Sequence, residues 1–180
     1  MFHRRADSEL FDACQAPLGA RAARWSLINP TETTMFKHIL LATDGSDASA
    51  HAAALAVDLA RTHGARLTAL YVVDPYPYLG IGEANPMGFQ AYMSAAYDHA
   101  AQAHARVTEL SDKAGKPVEL ALRMAEDVPT TEGILRMAKD EGADLIVVGS
   151  HGRNGLMRMV LGSIATKVVA QSPLPVLVVR

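Results

Sequence analysis

One cysteine, Cys14, stands in a chain of 180 residues, which excludes an intramolecular disulfide and a cysteine-rich zinc site. That usage fits a reducing compartment, and the expectation is a cytoplasmic protein. No stretch approaches the roughly 18 consecutive apolar residues of a membrane-spanning helix. Charge of one sign is also missing: 17 Lys and Arg stand against 19 Asp and Glu, a net charge of −2. With the basic residues scattered, there is no electrostatic footprint for nucleic acid or an anionic membrane. Three catalytic signatures are absent as well: a G-x4-G-K-(S/T) loop, a carboxylate pair for two metals, and a base placed beside an attacking water. Catalysis is therefore unsupported by the residues.

What remains is a chain about half apolar (49%), enough core for a single globular domain. Residues 1–34 mix Arg4, Arg5, Arg21 and Arg24 with Asp7, Glu9, Asp12 and Glu32 and show no sustained apolar periodicity. They read as a poorly ordered extension, or as sequence upstream of a start at Met35; they lack the apolar core of a signal peptide, and their acidic residues argue against a transit peptide. From Phe36 the pattern turns regular. Apolar runs at 39–43, 66–73, 143–148 and 175–179 alternate with helix-type segments, and 118–124 alternates apolar with polar as an edge strand would. The first helix, about Ser49 to His63, is expected to group Leu55, Leu59, Ala52 and Ala56 on one face and to stop at Gly64. The third, about Pro129 to Glu141, is expected to take its cap from the region of Asp127. Asp74 to Gly88 is a long connection rich in Pro and Gly, a lid or contact surface on one reading and an ordinary surface insertion on the other.

Five strands alternating with four helices imply a doubly wound, mostly parallel sheet with helices on both faces, in the order 3-2-1-4-5. Ligands in such sheets bind at the carboxyl ends of the strands where the order reverses. Two loops meet there. Asp44-Gly45-Ser46 follows strand 1 and offers a carboxylate suited to hydroxyls, or merely a helix cap. Gly149-Ser150-His151-Gly152 follows strand 4 and, with Gly162-Ser163 nine residues on, forms a glycine-rich entry to a helix whose amides suit phosphate. His151 reads as a spacer in that turn rather than a general base, and Arg153 and Arg158 either neutralise phosphate or hydrate the loop. His99 and His104, five apart on a helix, suit no single metal.

Gly149, Gly152, Gly162 and Ser163 spell G-x2-G-x9-G-(S/T). With ILLATDGS at 39–46 and PVLVV at 175–179, the chain from Met35 to Arg180 resembles the universal stress protein family, in its ATP-binding branch. The resemblance implies that Ala42, Thr43 and Asp44 line the ribose and adenine side and that the Val72 backbone meets the adenine edge. It further implies that Gly149, Ser150 and Gly152 wrap the ribose and phosphates, and that Gly162, Ser163, Ile164 and Ala165 hold the distal phosphates. Some members carry a hydroxyl residue where this chain has Ala165, a departure that removes a side-chain donor but keeps the amide.

The expected function is therefore an ATP-binding, non-enzymatic protein with a regulatory or protective role in the stress response, with Mg²⁺ carried on the phosphates. ATP would order residues 153–161 and so change the surface offered to a protein partner. The rivals are a nucleotide-independent interaction module of the same fold and a slow ATP hydrolase. The closing strand, Val176 to Val179, falls at a sheet edge in the expected order. An apolar edge needs a cover, and a two-fold partner supplying the same strand would give a homodimer, as is the family's habit.

Overall fold

The computed structural model describes residues 35–76, 86–115, 117–152 and 161–180. The extension at 1–34 with Cys14, most of the connection after Asp74, and Arg153 with Arg158 lie outside them. Within them the elements run β1 (His38–Ala42), α1 (Asp47–His63), β2 (Arg66–Val72), α2 (Pro86–Lys113), β3 (Leu120–Ala125), α3 (Thr130–Asp140), β4 (Leu145–Gly149), α4 (Ser163–Gln171) and β5 (Val176–Val179). The strands form one parallel sheet in the order β3-β2-β1-β4-β5, as the alternation of elements requires.

Strand side chains alternate between two cores. Ile39, Leu41, Leu67 and Val147 pack with Ala52, Ala53, Ala56 and Ala60 of α1 and Val107 of α2. Leu40, Leu70, Ile146 and Val148 pack on the opposite face with Ile134 and Ala138 of α3 and Ala165 and Val168 of α4. Burial on both faces explains why β1 and β4 read as unbroken apolar runs.

Three local expectations are corrected. The buried face of α1 is its alanine stripe with Val57, whereas Leu55 is 38% exposed: small side chains admit the helix closely to the sheet, and the leucine is turned out. In α3, Asp127 is not the cap. It has a positive φ of 53°, Pro129 occupies the N-cap position without a side-chain bond, and the Thr130 amide is taken by Asp74 from the end of β2. In β3 the alternation is imperfect, since neighbouring Leu122 and Arg123 are both exposed. Leu122 borders a shallow groove along α2, lined by Ala101, His104 and Ala105, that the helix leaves open.

At the amino ends of the strands a polar cluster closes the sheet. The His38 ring lies 2.9 Å from Glu141 O through Nδ1 and 2.8 Å from Thr68 Oγ1 through Nε2, and Arg66 Nε donates to Nε2 at 3.2 Å. These bonds fit a neutral Nδ1–H imidazole. Burial, then the adjacent Arg66 guanidinium, holds the His38 pKa below its ordinary 6.5. Glu141 accepts from Arg123 at 2.8 Å and pairs with Arg66, and the Arg123 hydrogen bond holds its carboxyl below the usual range.

Candidate functional site

At the other end of the sheet, the register places the carboxyl ends of β1, β2 and β4 side by side, with Ala42 opposite both Leu70 and Val148. A cavity of about 610 Å³ opens there, within the size range of small-ligand sites. Ala42, Thr43, Asp44, Val72, Gly149, Ser150, Gly152, Gly162, Ser163, Ile164 and Ala165 all line it. The structure thus gathers these eleven residues around one cavity, while Arg153 and Arg158 lie outside the described residues.

The glycines are there because other atoms come close, and none of the three in the motif has a positive φ. A Cβ on Gly149 would stand 3.0 Å from the Ala48 carbonyl carbon; on Gly152, 2.9 Å from Asp44 Oδ2; on Gly162, 3.0 Å from Ser150 O. Ser150 knits the two halves of the motif together. Its amide donates to Val179 O at 2.6 Å and its carbonyl accepts from Gly162 N at 2.8 Å, so the turn after β4 is tied both to the end of β5 and to the start of α4. Its side chain is 2% exposed, with Oγ 3.0 Å from His151 Nδ1. His151 Nε2 is buried and has no hydrogen-bond partner among the described residues.

Three helices begin at this rim, and they are not alike. In α1, Ser46 Oγ accepts from Ser49 N at 3.3 Å, while Asp44 Oδ1 accepts from Ser46 N at 3.0 Å. The start of α3 is satisfied by Asp74, whose Oδ1 accepts from Thr130 N at 2.8 Å and from Thr130 Oγ1 at 2.7 Å. The start of α4 has Gly162 at the N-cap and no side-chain cap. Its first intrahelical bond is Thr166 N to Gly162 O, which leaves the amides of Ser163, Ile164 and Ala165 for another acceptor. An anion therefore belongs at α4. No Lys or Arg is among the described lining residues, and the carboxylates are Asp44 and Asp74.

The other end of the cavity is apolar, formed by Leu70, Val72, Ile134 and Val148. Here β2 outruns β1. Leu70 O still accepts from Thr43 N at 2.9 Å, but Val72, turned the same way two residues later, directs its N–H and C=O beyond the last residue of β1. A flat heterocycle with an adjacent donor and acceptor matches that edge. Sequence reasoning missed Ser49, Leu70, Asp74, Thr130, Ile134 and Val148 as lining residues. For Asp74 there was a signal, a carboxylate just after β2 matching Asp44 just after β1. No group of three His, Cys, Asp or Glu among the described residues could hold a metal ion, and no helix among them is long and apolar enough to cross a membrane.

Fold and cavity together define an open, doubly wound α/β protein with its cleft at the β1/β4 switch point. The chain belongs to the universal stress protein family, whose model matches residues 35–180. A universal stress protein of Thermus aquaticus is 42% identical over 147 residues, 81% of this chain and 100% of the relative. One from Methanocaldococcus jannaschii is 35% identical over 146 residues, 81% of this chain and 83% of that protein. The solved structure of the universal stress protein UspA from Lactobacillus plantarum, 31% identical, superposes with a TM-score of 0.66 over 80% of this chain and 97% of its own.

Proposed function

We propose that this protein binds ATP at the cleft and acts as a regulatory or protective factor in stress, holding the nucleotide without turning it over. The observation that carries the reading is the contrast among the helix starts. Two are satisfied by side chains of this protein, while α4 presents amides that no described side chain caps to a cavity whose far end is an apolar slot. A ligand with an anionic tail and a flat heterocyclic head matches both ends at once. Asp44 supplies the acceptor for ribose hydroxyls between them. Mg²⁺ would ride on the phosphates, neutralising charge that no described basic side chain of the cavity offsets.

The protein works in the cytoplasm as a homodimer through β5, with residues 35–180 as the nucleotide-binding domain. The strand directions support the dimer: Pro175 O accepts from Ile146 N and Val179 O from Ser150 N, so the amide groups of Val176 and Val178 face outward along an edge that no described strand pairs. Calorimetric titration with ATP and AMP, repeated on Gly152→Val, tests the binding. Heat with ATP, lost in the variant, is expected. Absence of heat with ATP would leave the nucleotide-independent interaction module, and multiple-turnover phosphate release would show a hydrolase.

A further inference from the structure

We propose that Asp74 selects the base, favouring a six-amino purine over a six-oxo purine; this rests on nucleotide binding at the cleft. Asp74 lines the cavity on the same side as Val72, Thr130 and Ile134. Its two oxygens are not equivalent. Oδ1 already accepts two hydrogen bonds, from Thr130 N and Thr130 Oγ1, while Oδ2 accepts none from the described residues. A carboxylate with both oxygens available would suit guanine, which offers two adjacent donors on its pairing edge. With one oxygen committed to the start of α3, Asp74 offers a single acceptor, the complement of a single amino group. Adenine presents that group at its six position, where guanine presents an oxygen that a carboxylate repels. The Val72 N–H and C=O supply the remaining donor and acceptor, and Leu70, Ile134 and Val148 supply the apolar walls.

The arrangement makes an unusual prediction for Asp74→Asn. The Thr130 amide requires an acceptor, so the one carbonyl oxygen of the asparagine is held where Oδ1 stands, and its NH₂ takes the place of Oδ2. A donor then faces the base. Adenine loses its acceptor and the six-oxo purines gain a donor.

Titration of the intact protein with ATP, GTP and ITP tests this, with ITP separating the six-oxo group from the two-amino group of guanine. Wild type is expected to prefer ATP to both by about threefold to tenfold, the effect of one hydrogen bond at an exposed carboxylate. Asp74→Asn is expected to weaken ATP and strengthen ITP, bringing the ratio to unity or inverting it. Thr130→Val, which keeps the Thr130 amide and loses the hydroxyl, is expected to retain the ATP preference. Equal binding of ATP and ITP by wild type would overturn the proposal while leaving ATP binding intact. So would parallel losses of all three nucleotides in Asp74→Asn, the signature of a carboxylate that only caps α3. No binding of any nucleotide to wild type would overturn the functional reading and this one together.

Discussion

Gly149→Ala and Gly152→Ala are the same chemical change three residues apart, and the structure assigns them opposite consequences. At Gly149 the new methyl would meet the Ala48 carbonyl carbon at 3.0 Å, its oxygen at 3.1 Å and Ser49 N at 3.1 Å. All three atoms are backbone of the first turn of α1, which cannot rotate away. Nor can the helix retreat freely, because Ala52, Ala53, Ala56 and Ala60 are at most 1% exposed. Overpacking of this kind costs about 1–3 kcal/mol, and the lower chain entropy of alanine in the unfolded state returns about 0.4–1 kcal/mol. A net loss of about 1–2 kcal/mol lowers Tm by roughly 2–8 °C for a chain of this size. At Gly152 the methyl meets one close atom, Asp44 Oδ2 at 2.9 Å, the end of a side chain that can swing. The expected Tm change is then within about 2 °C, as the strained Asp44–Ser46 hydrogen bond and the entropy gain offset each other. Under the proposed function the cost appears instead in ATP affinity, down by about tenfold or more as Asp44 leaves the place proposed for it beside the ribose. Thermal unfolding of the nucleotide-free variants, paired with calorimetric titration, reads both quantities. A Gly152→Ala protein that melts below Gly149→Ala, or a Gly149→Ala protein that melts with wild type, would refute the reasoning.

Two further predictions concern parts of the molecule away from the cleft. Burial holds His38 and His104 below their ordinary pKa of 6.5, so the unfolded chain binds more protons than the folded one just below that pH. Stability should be full above about pH 6.5 and fall as pH drops below it, by at most about 1.4 kcal/mol per pH unit for each histidine. Urea midpoints compared at pH 7.5 and 5.5 measure this above the range of the carboxylates, and His38→Gln should flatten the dependence; a wild-type midpoint that does not move would refute it. At β5, Val178→Pro removes an outward-facing N–H and no bond to β4, a position where an edge strand tolerates proline. Sedimentation should show the proposed dimer becoming a monomer that still unfolds cooperatively, and a dimer that persists would show that pairing runs through another surface.

The fold was legible because periodicity and topology are nearly determined by sequence here. Apolar runs too short for helices, separated by helical segments, leave a parallel sheet as the arrangement that pairs them, and the glycine motif marked where it would open. Local features that depend on partners distant in the chain were not legible. Leu55 is a better hydrophobe than its alanine neighbours, yet it is 38% exposed, because the face of α1 set against the sheet is the one that carries Ala52, Ala53, Ala56, Val57 and Ala60. Asp127 had the composition of a cap, but a carboxylate 56 residues before Thr130 holds that amide. The apolar half of the cavity was missed for a related reason: Leu70, Ile134 and Val148 look like core in sequence and are core, at most 3% exposed, and only the packing of distant elements brings them to the cavity wall.

The alanine stripe of α1 has a consequence beyond packing. Because alanine methyl groups make up most of the buried face of this helix, the stripe acts as a gauge block that sets how far the loop at Asp44 stands from the turn at Gly149 and Gly152. A larger side chain at Ala56 or Ala60, two turns or more along the helix and touching nothing in the cleft, would wedge the helix outward and widen the cleft at its mouth. The aperture is therefore encoded in residues remote from it, and lineages of this fold can retune what the cleft admits while every residue that lines it stays the same.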